Sequence, residues 1–432
     1  MLISIGLTQS HIAFNPDHFF QPMRILIYGL NYSPELTGIG KYTGEMATWL
    51  LEQGHEICAI ATPPYYPAWQ IWQGYSAWWY SSQQSERFHL IRCPLWVPKT
   101  PSGLKRILHL LSFALTSFPI ALWKSLWWRP DLVLIVAPAI SSAPGGWLAA
   151  RLAGAEAWLH IQDFEIDAAF EMGMLGSDTQ QKLSVRNSIE ILERWLLRRF
   201  DRISTIAMPM LKRLEAKGVK PNRLVLFPNW VDLEVIYPLT ETSPMRVELE
   251  IPIDRIVVLY AGNMGKKQGL EIAIEAAKIL IDRAEILFVL CGDGAIRSEL
   301  EQSAQGLECV RFLPLQPVER LNDLLNLADI HILPQRADVA DLVMPSKLGG
   351  ILACGGASIA TAYPNTEVAN VVQAAGGIVC PPDDPKQFAA QILALAQDPS
   401  KRLVMQQSAR NYSIEHLAKE KILHAFQIQL GL

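Results

Sequence analysis

The chain has 432 residues, too many for one ordinary core and suited to two or three domains of roughly 150 residues, of which two is the simpler reading. Half of the residues are apolar and 19% are charged, which excludes a disordered chain. Lys+Arg 38 against Asp+Glu 42 leaves a formal charge of -4, not basic enough for a general nucleic-acid binder. The six cysteines (Cys58, Cys93, Cys291, Cys309, Cys354, Cys380) form no Cys-x-x-Cys pair and have no histidines beside them, so neither a metal site nor a disulfide framework is expected, which suits a reducing cytosol.

Residues 1–22 lack a basic n-region and a small-residue cleavage site, so they read as a loose extension rather than a secretory signal, and Met23 offers an alternative start. From there, short apolar runs alternate with longer amphipathic stretches, the pattern of parallel strands covered by helices on both faces. Strands are predicted at 25–28, 57–61, 90–93, 132–136, 157–160, 203–206 and 224–227, with Gly54 suited to the left-handed residue that closes the first helix. The stretch 107–128 approaches the roughly 20 apolar residues of a membrane span, but His109, Pro119 and Lys124 interrupt it. A kinked pair of helices is expected instead, either inside the core or docked on a membrane surface through Trp123, Trp127 and Trp128 with Lys105, Arg106, Lys124 and Arg129.

The pattern lapses after Asn229-Trp230-Val231-Asp232 and resumes beyond Pro252, with strands predicted at 256–261, 286–291, 310–313, 330–333, 358–362 and 377–379. The predicted division is therefore an extension over 1–22, a first domain over 23–235, a second over 236–415, and a closing helix over 416–432 that packs back on the first domain. In open parallel sheets a ligand binds beyond the carboxyl ends of the strands, so the residues that follow each strand carry the functional reading.

After the first strand, Asn31 to Gly44 places Gly38 and Gly40 before a helix whose free amides suit an anion, though a tight turn explains the glycines equally well. In the second half, Tyr260 to Leu270 sets Gly262, Asn263, Gly265, Lys266 and Lys267 at a strand-to-helix turn, a coherent diphosphate site, with a solvated lysine pair as its plain alternative. Gly292-Asp293-Gly294 ends another strand and suits a flat base or ribose against bare backbone. Pro345 fits a first helical turn, leaving Ser346, Lys347 and nearby amides to face a ligand, with Asp341 just before them. Glu367 could accept from sugar hydroxyls or stabilise its own helix. His160 and Asp163, at the end of the strand over 157–160, are the candidates to orient an acceptor hydroxyl or steady a developing positive charge, although a lone histidine there is often structural.

Asn31 to Gly44, Ala261 to Gly269 (AGNMGKKQG), Gly292 to Gly294 and Leu342 to Gly355 together resemble glycosyltransferase family 4, in its WcaI- and WbuB-like branch of exopolysaccharide and O-antigen assembly. The likeness runs from about Met23 to the C-terminus. It implies a GT-B architecture of two Rossmann-like domains facing a cleft. It also implies a UDP- or GDP-sugar donor, retention of configuration, and a saccharide or polyprenyl-diphosphate-linked acceptor. No metal or other cofactor is implied, and the enzyme would sit peripherally on the inner face of the cytoplasmic membrane. Two positions depart from the wider family. Gly262-Asn263 stands where a Gly-Arg pair is common, and Leu342 and Gly350 stand where two glutamates are common. The diphosphate charge then falls to Lys267 and Lys266, with Asp341, Lys347 and Glu367 as replacement donor ligands. A nucleotide-sugar 2-epimerase and a non-catalytic membrane-associated relative are the competing readings.

Overall fold

Runs such as Ile25-Leu26-Ile27, Val133-Leu134-Ile135 and Val257-Val258-Leu259 are apolar at successive positions because their strands are covered on both faces, where no polar alternation is needed. The computed structural model describes residues 21–35, 38–100, 103–137, 140–164, 189–337 and 345–430. Its first domain contains β1 (Arg24–Gly29), β2 (Glu56–Ala61), β3 (Ser81–Gln84), β4 (Phe88–Arg92), β5 (Leu132–Ala137), β6 (Glu156–Ile161), β7 (Arg202–Thr205) and β8 (Leu224–Leu226). They form one sheet in the order β3-β4-β2-β1-β5-β6-β7-β8, parallel except for the edge pair β3 and β4. The second domain contains β9 (Ile256–Ala261), β10 (Ile286–Cys291), β11 (Val310–Leu313), β12 (Ile330–Leu333), β13 (Ser358–Thr361) and β14 (Ile378–Cys380). Their order is β11-β10-β9-β12-β13-β14, parallel throughout. Both sheets start in the middle, move outward to one side, and then resume on the other side of the first strand. The direction switches between β1 and β5 and between β9 and β12, and a crevice opens beyond the strand ends at such switch points.

The predicted strand positions agree with the observed ones to within about two residues. The exception is β3, whose sequence Ser-Ser-Gln-Gln is exposed at all four positions and gives no apolar signal. Helix α1 (Gly38–Glu52) is followed by Gly54 at φ 95°, the left-handed closure that the sequence suggests. The expected pair of kinked helices is a single helix, α2 (Gly103–Trp127), which runs through Pro119 on its exposed side, where one backbone bond is lost. Its inner face belongs to the core: the Phe113 ring lies 5.8 Å from that of Tyr28, and the Tyr28 and Ser117 hydroxyls are 2.7 Å apart. Lys124 is buried 2.9 Å from His89 Nδ1, and Trp128 packs on the core, so neither is part of an exposed basic and aromatic surface.

The chain leaves the first domain after Trp230 and returns to it through the helix Lys419–Gln429. There the Phe426 ring stacks on Phe227 at 4.2 Å and meets the edge of Trp158 at 5.1 Å, inside the apolar cluster that backs β1. Outgoing and returning segments lie side by side: Val231 N donates to Leu417 O at 2.8 Å, and Lys419 N donates to Val231 O at 3.1 Å.

Candidate active site

Beyond β9, residues 262–264 run alongside the loop that leaves β10. Gly262 N donates to Cys291 O at 2.9 Å, Met264 N to Asp293 O at 2.8 Å, and Ile296 N to Met264 O at 3.1 Å. A Cβ on Gly292 would stand 1.9 Å from the Gly262 carbonyl oxygen, and its φ of 146° excludes other residues independently. Gly292 thus lets the two protein loops touch beside the place where the sequence suggests a base or ribose. Asn263, Lys266 and Lys267 are exposed along this first loop, with 266–268 forming a 3-10 turn in which Gln268 Oε1 accepts from Gly265 N at 3.1 Å.

Lys347 reaches the same place from the helix Ser346–Ala353, where Pro345 is the capping residue and lies one position before the first turn expected for it. A Cβ on Gly262 would be 2.3 Å from Lys347 Cε, so Gly262 is the space through which this side chain passes. The Lys347 ammonium donates to the Tyr260 hydroxyl and lies 4.5 Å from the ring centroid, while that hydroxyl donates to Asn263 O. Burial pushes the Lys347 ammonium down to about 8 and the Tyr260 phenol upward. Ser346 is exposed at the first position of its helix, and Asp341 falls outside the described residues.

Arg336, three residues past β12, closes over the turn: its amide donates to Lys267 O at 3.4 Å, and a Cβ on Gly269 would be 3.1 Å from its Cγ. The sequence reading passes over Arg336 because no local motif surrounds it. Lys266, Lys267, Arg336 and Lys347 together make a cationic rim where β9 and β12 end, at the switch point. Glu367 starts the helix Glu367–Ala374, capped by Thr366, whose hydroxyl accepts from Ala369 N at 3.3 Å. It lies near Tyr412, a phenol raised by burial and by the Glu367 carboxylate.

In the first domain, Gly38 opens α1, while Gly40 and Gly44 make room for the loop Asn31 to Glu35: Cβ atoms there would lie 2.6 Å from Glu35 Oε2 and 2.7 Å from Ser33 Cβ. Glu35 is 2% exposed and joins its own loop to the one after β2, accepting from the amides of Tyr65 and Tyr66 at 3.0 Å each and from Asn31 Nδ2 at 2.9 Å. Burial raises its carboxyl pKa against the pull of those donors. Arg92 at the end of β4 donates to Thr62 O at 2.6 Å and to Ser33 O. The loops after β1, β2 and β4 are thereby bound into one wall. Neither Glu35 nor Arg92 stands out in the sequence, although Glu35 lies inside the glycine-bearing loop.

His160 is a core residue rather than a cleft one. Its Nδ1 is 2.9 Å from Ser204 Oγ, which also accepts from Trp158 Nε1 at 2.9 Å, and its ring lies 5.0 Å from that of Phe227. Burial pushes its pKa down to about 3, so the imidazole is neutral and held inside the sheet. The catalytic role expected of it gives way to a packing role. Asp163, just past β6, is exposed on the side of the sheet where strands end, one strand from the switch between β1 and β5.

A cavity of about 360 Å³ lies between the domains, with Ser33, Glu45 and Trp49 on one side, Val318 and Leu321 on the other, and Asp232 between them. Trp230 Nε1 donates to Glu45 Oε2 at 2.7 Å along this wall. A larger cavity of about 670 Å³ opens at the opposite edge of the second sheet, where the chain enters the strands. Its arginines are engaged, Arg246 by Asp329 at 2.8 Å and Arg410 by the carbonyls of Ile236 and Ala353, so we read it as structural. Among the described residues, no group of three or more His, Cys, Asp or Glu lies together in a way that could hold a metal.

Two facing doubly wound domains, one carrying a cationic rim beyond its central strands, define a nucleotide-dependent transferase architecture. Residues 37–230 match the glycosyl transferase 4-like domain and residues 255–398 the glycosyl transferases group 1 domain, so the chain belongs to the GT-B glycosyltransferases. It is 42% identical, over 94% of its length and 98% of the relative's, to a protein of Escherichia coli K12 described as the colanic acid biosynthesis glycosyl transferase WcaI. It is also 27% identical over 209 residues to D-inositol 3-phosphate glycosyltransferase 1 of Catenulispora acidiphila, covering 45% of this chain and 49% of that one. Among solved structures, sucrose-phosphate synthase from Thermosynechococcus elongatus shares the fold with a TM-score of 0.70 at 17% identity, over 94% of this chain and 98% of that one. Anabaena HepE in complex with UDP-glucose does so at 0.62 and 16%, over 95% and 99%.

Proposed function

We propose that this glycosyltransferase moves a hexose from a UDP- or GDP-sugar to a saccharide or polyprenyl-diphosphate-linked saccharide, with retention, in the assembly of a cell-surface polysaccharide. The observation that carries this reading is the rim of Lys266, Lys267, Arg336 and Lys347 at the β9 and β12 switch point, four cations where a donor diphosphate would lie. Those side chains neutralise the leaving diphosphate, so no metal cofactor is required. The polysaccharide role follows from the relative named for colanic acid, and the nucleotide sugar agrees with the UDP-glucose named for HepE.

In this reading the leaving phosphate itself assists attack on the same face of the sugar, and the protein contributes position and charge rather than a nucleophile. Asp163, beyond β6, orients the acceptor hydroxyl from the first domain. The enzyme works at the cytoplasmic face of the membrane without crossing it. Screening UDP- and GDP-sugars by calorimetry identifies the donor, and NMR of the first-formed product reads the anomeric configuration with and without a chelator. An inverted product removes the retaining assignment, and loss of transfer in the chelator removes the metal-free one. Donor binding without transfer to any saccharide acceptor favours a non-catalytic relative.

A further inference from the structure

Helix α1 turns one stripe toward the second domain. Lys41, Glu45, Thr48, Trp49 and Glu52 recur along it at helical spacing, and all of them line the cavity of about 360 Å³ between the domains. Val318 and Leu321 close it from the second domain. Val231 and Asp232 on the outgoing segment and Lys419 on the returning one complete the wall, so both covalent connections between the domains pass through it. The volume falls in the range of small-molecule pockets, about 300–1,000 Å³.

The chemistry of the wall selects the class of ligand. Its two ammonium groups are already held, Lys41 at 3.6 Å from Glu45 Oε1 and Lys419 at 3.2 Å from Asp232 Oδ2, and Glu35 and Glu52 add two further carboxyl groups. No positive charge remains for an anion, which sets this cavity apart from the cationic rim beyond β9 and β12. Glu45 and Asp232 keep lone pairs beyond those taken by Trp230 Nε1, Glu234 N and the lysines. The Thr48 hydroxyl donates to Gly44 O at 3.1 Å and so can only accept from a ligand. Such a wall suits a molecule rich in O–H donors and free of negative charge. Trp49 and Val318 add the apolar surface on which the C–H face of a sugar ring packs.

We propose that this cavity binds a neutral saccharide unit at a second site, apart from the reacting hydroxyl, and that its occupancy is coupled to the angle between the domains. The cavity is displaced to one side of both sets of site residues. Val318 lies beyond β11, two strands from β9, and Ser33 lies beyond β1, two strands from the β6 that precedes Asp163, an offset of about 10 Å at roughly 4.8 Å per strand. Any change in the angle between the domains turns about the segments at Val231 and Lys419 and therefore reshapes the cavity. A ligand touching α1 on one side and Val318 and Leu321 on the other favours one angle. Donor and saccharide then change each other's affinity by the same factor. The site goes beyond the proposed transfer, and only the coupling rests on the proposed nucleotide donor.

The test is saturation-transfer NMR of the full chain with the methyl glycosides of glucose, galactose and mannose, and with glucuronate as the charged control. Wild type should bind at least one of the neutral glycosides and bind glucuronate more weakly. Val318→Trp and Thr48→Trp, at exposed positions on opposite walls, each fill the cavity and should weaken glycoside binding by about tenfold or more, with melting temperature and UDP or GDP affinity unchanged. In wild type, saturating glycoside should shift that nucleotide affinity by about fivefold or more, the lower end of usual coupling between sites, and neither variant should show the shift. No binding of any neutral glycoside, glucuronate bound as well as they are, or undiminished binding by both variants overturns the site. A nucleotide affinity indifferent to the glycoside overturns the coupling. Failure of both UDP and GDP to bind a chain that still binds glycosides would remove the proposed donor, and the coupling with it, while the site stands.

Discussion

Lys347 donates to the Tyr260 hydroxyl with its ammonium held by burial down to about 8, so its charge is lost as pH rises through that value. A diphosphate favours the protonated form, so donor affinity is full below pH 8 and falls above it. Calorimetry at pH 7 and pH 9 should show wild type losing about three- to tenfold in affinity, and Lys347→Met should bind more weakly at pH 7 but flatten the dependence. A flat wild-type profile separates Lys347 from the donor. Lys266, Lys267 and Asn263 are legible in the sequence because a glycine-rich turn after a strand marks them. His160 is not, because its strand is covered on both faces and the alternation that would tell cleft from core is absent. Arg336 and Glu35 acquire their places only from neighbours distant in sequence, Gly269 for one and Tyr65 for the other.

At the scale of elements, the two loops beyond β9 and β10 behave as one unit because Gly262 O occupies the space where Gly292 lacks a side chain. Gly292→Ala should cost about 1–3 kcal/mol from backbone strain alone, and more as Gly262 is displaced from Lys347. Thermal melting and donor affinity should fall together; a variant with wild-type melting and affinity would show that the loops are not coupled. The four strands β9 to β12 are readable to the residue since each is a short apolar run between polar turns. Polar β3 is invisible by the same criterion. The continuity of α2 is hidden because its buried His109 and Lys124 look like interruptions until Trp96 O and His89 are seen to bond them.

For the whole molecule, the placement of cations after strands of one domain and Asp163 after a strand of the other predicts a division of labour. Lys267→Ala should weaken donor binding by about 1.5–3 kcal/mol, the range for a hydrogen bond to a charged group, and leave turnover at saturating donor nearly intact. Asp163→Asn should lower turnover by roughly two orders of magnitude while nucleotide affinity stays near wild type. Steady-state kinetics with direct binding measurements separate the two; the reverse pattern would exchange the roles of the domains. The two-domain α/β architecture that hosts this split is readable from the alternation of strand and helix patterns, whereas the wall of Glu35 and Arg92 facing it is a product of folding.

The returning helix Lys419–Gln429 means that the first domain is finished by residues translated only after the whole second domain. Until Phe426 emerges, the faces of Phe227 and Trp158 that its ring covers stay open, and the segment Asn229 to Asp232 lacks its partner at Ala418. A nascent chain must therefore extend past Phe426 before its first domain can close. A fragment ending near residue 235 should expose an aromatic patch and aggregate, and a peptide spanning 417–430 added in trans should bind it and suppress aggregation. Phe426→Ala, beyond the second domain in sequence, should remove about 3–5 kcal/mol, as large-to-small changes of buried aromatics do. That loss should appear in hydrogen exchange at β1 and β6, whereas undisturbed exchange there would mean that the first domain stands without its returning helix.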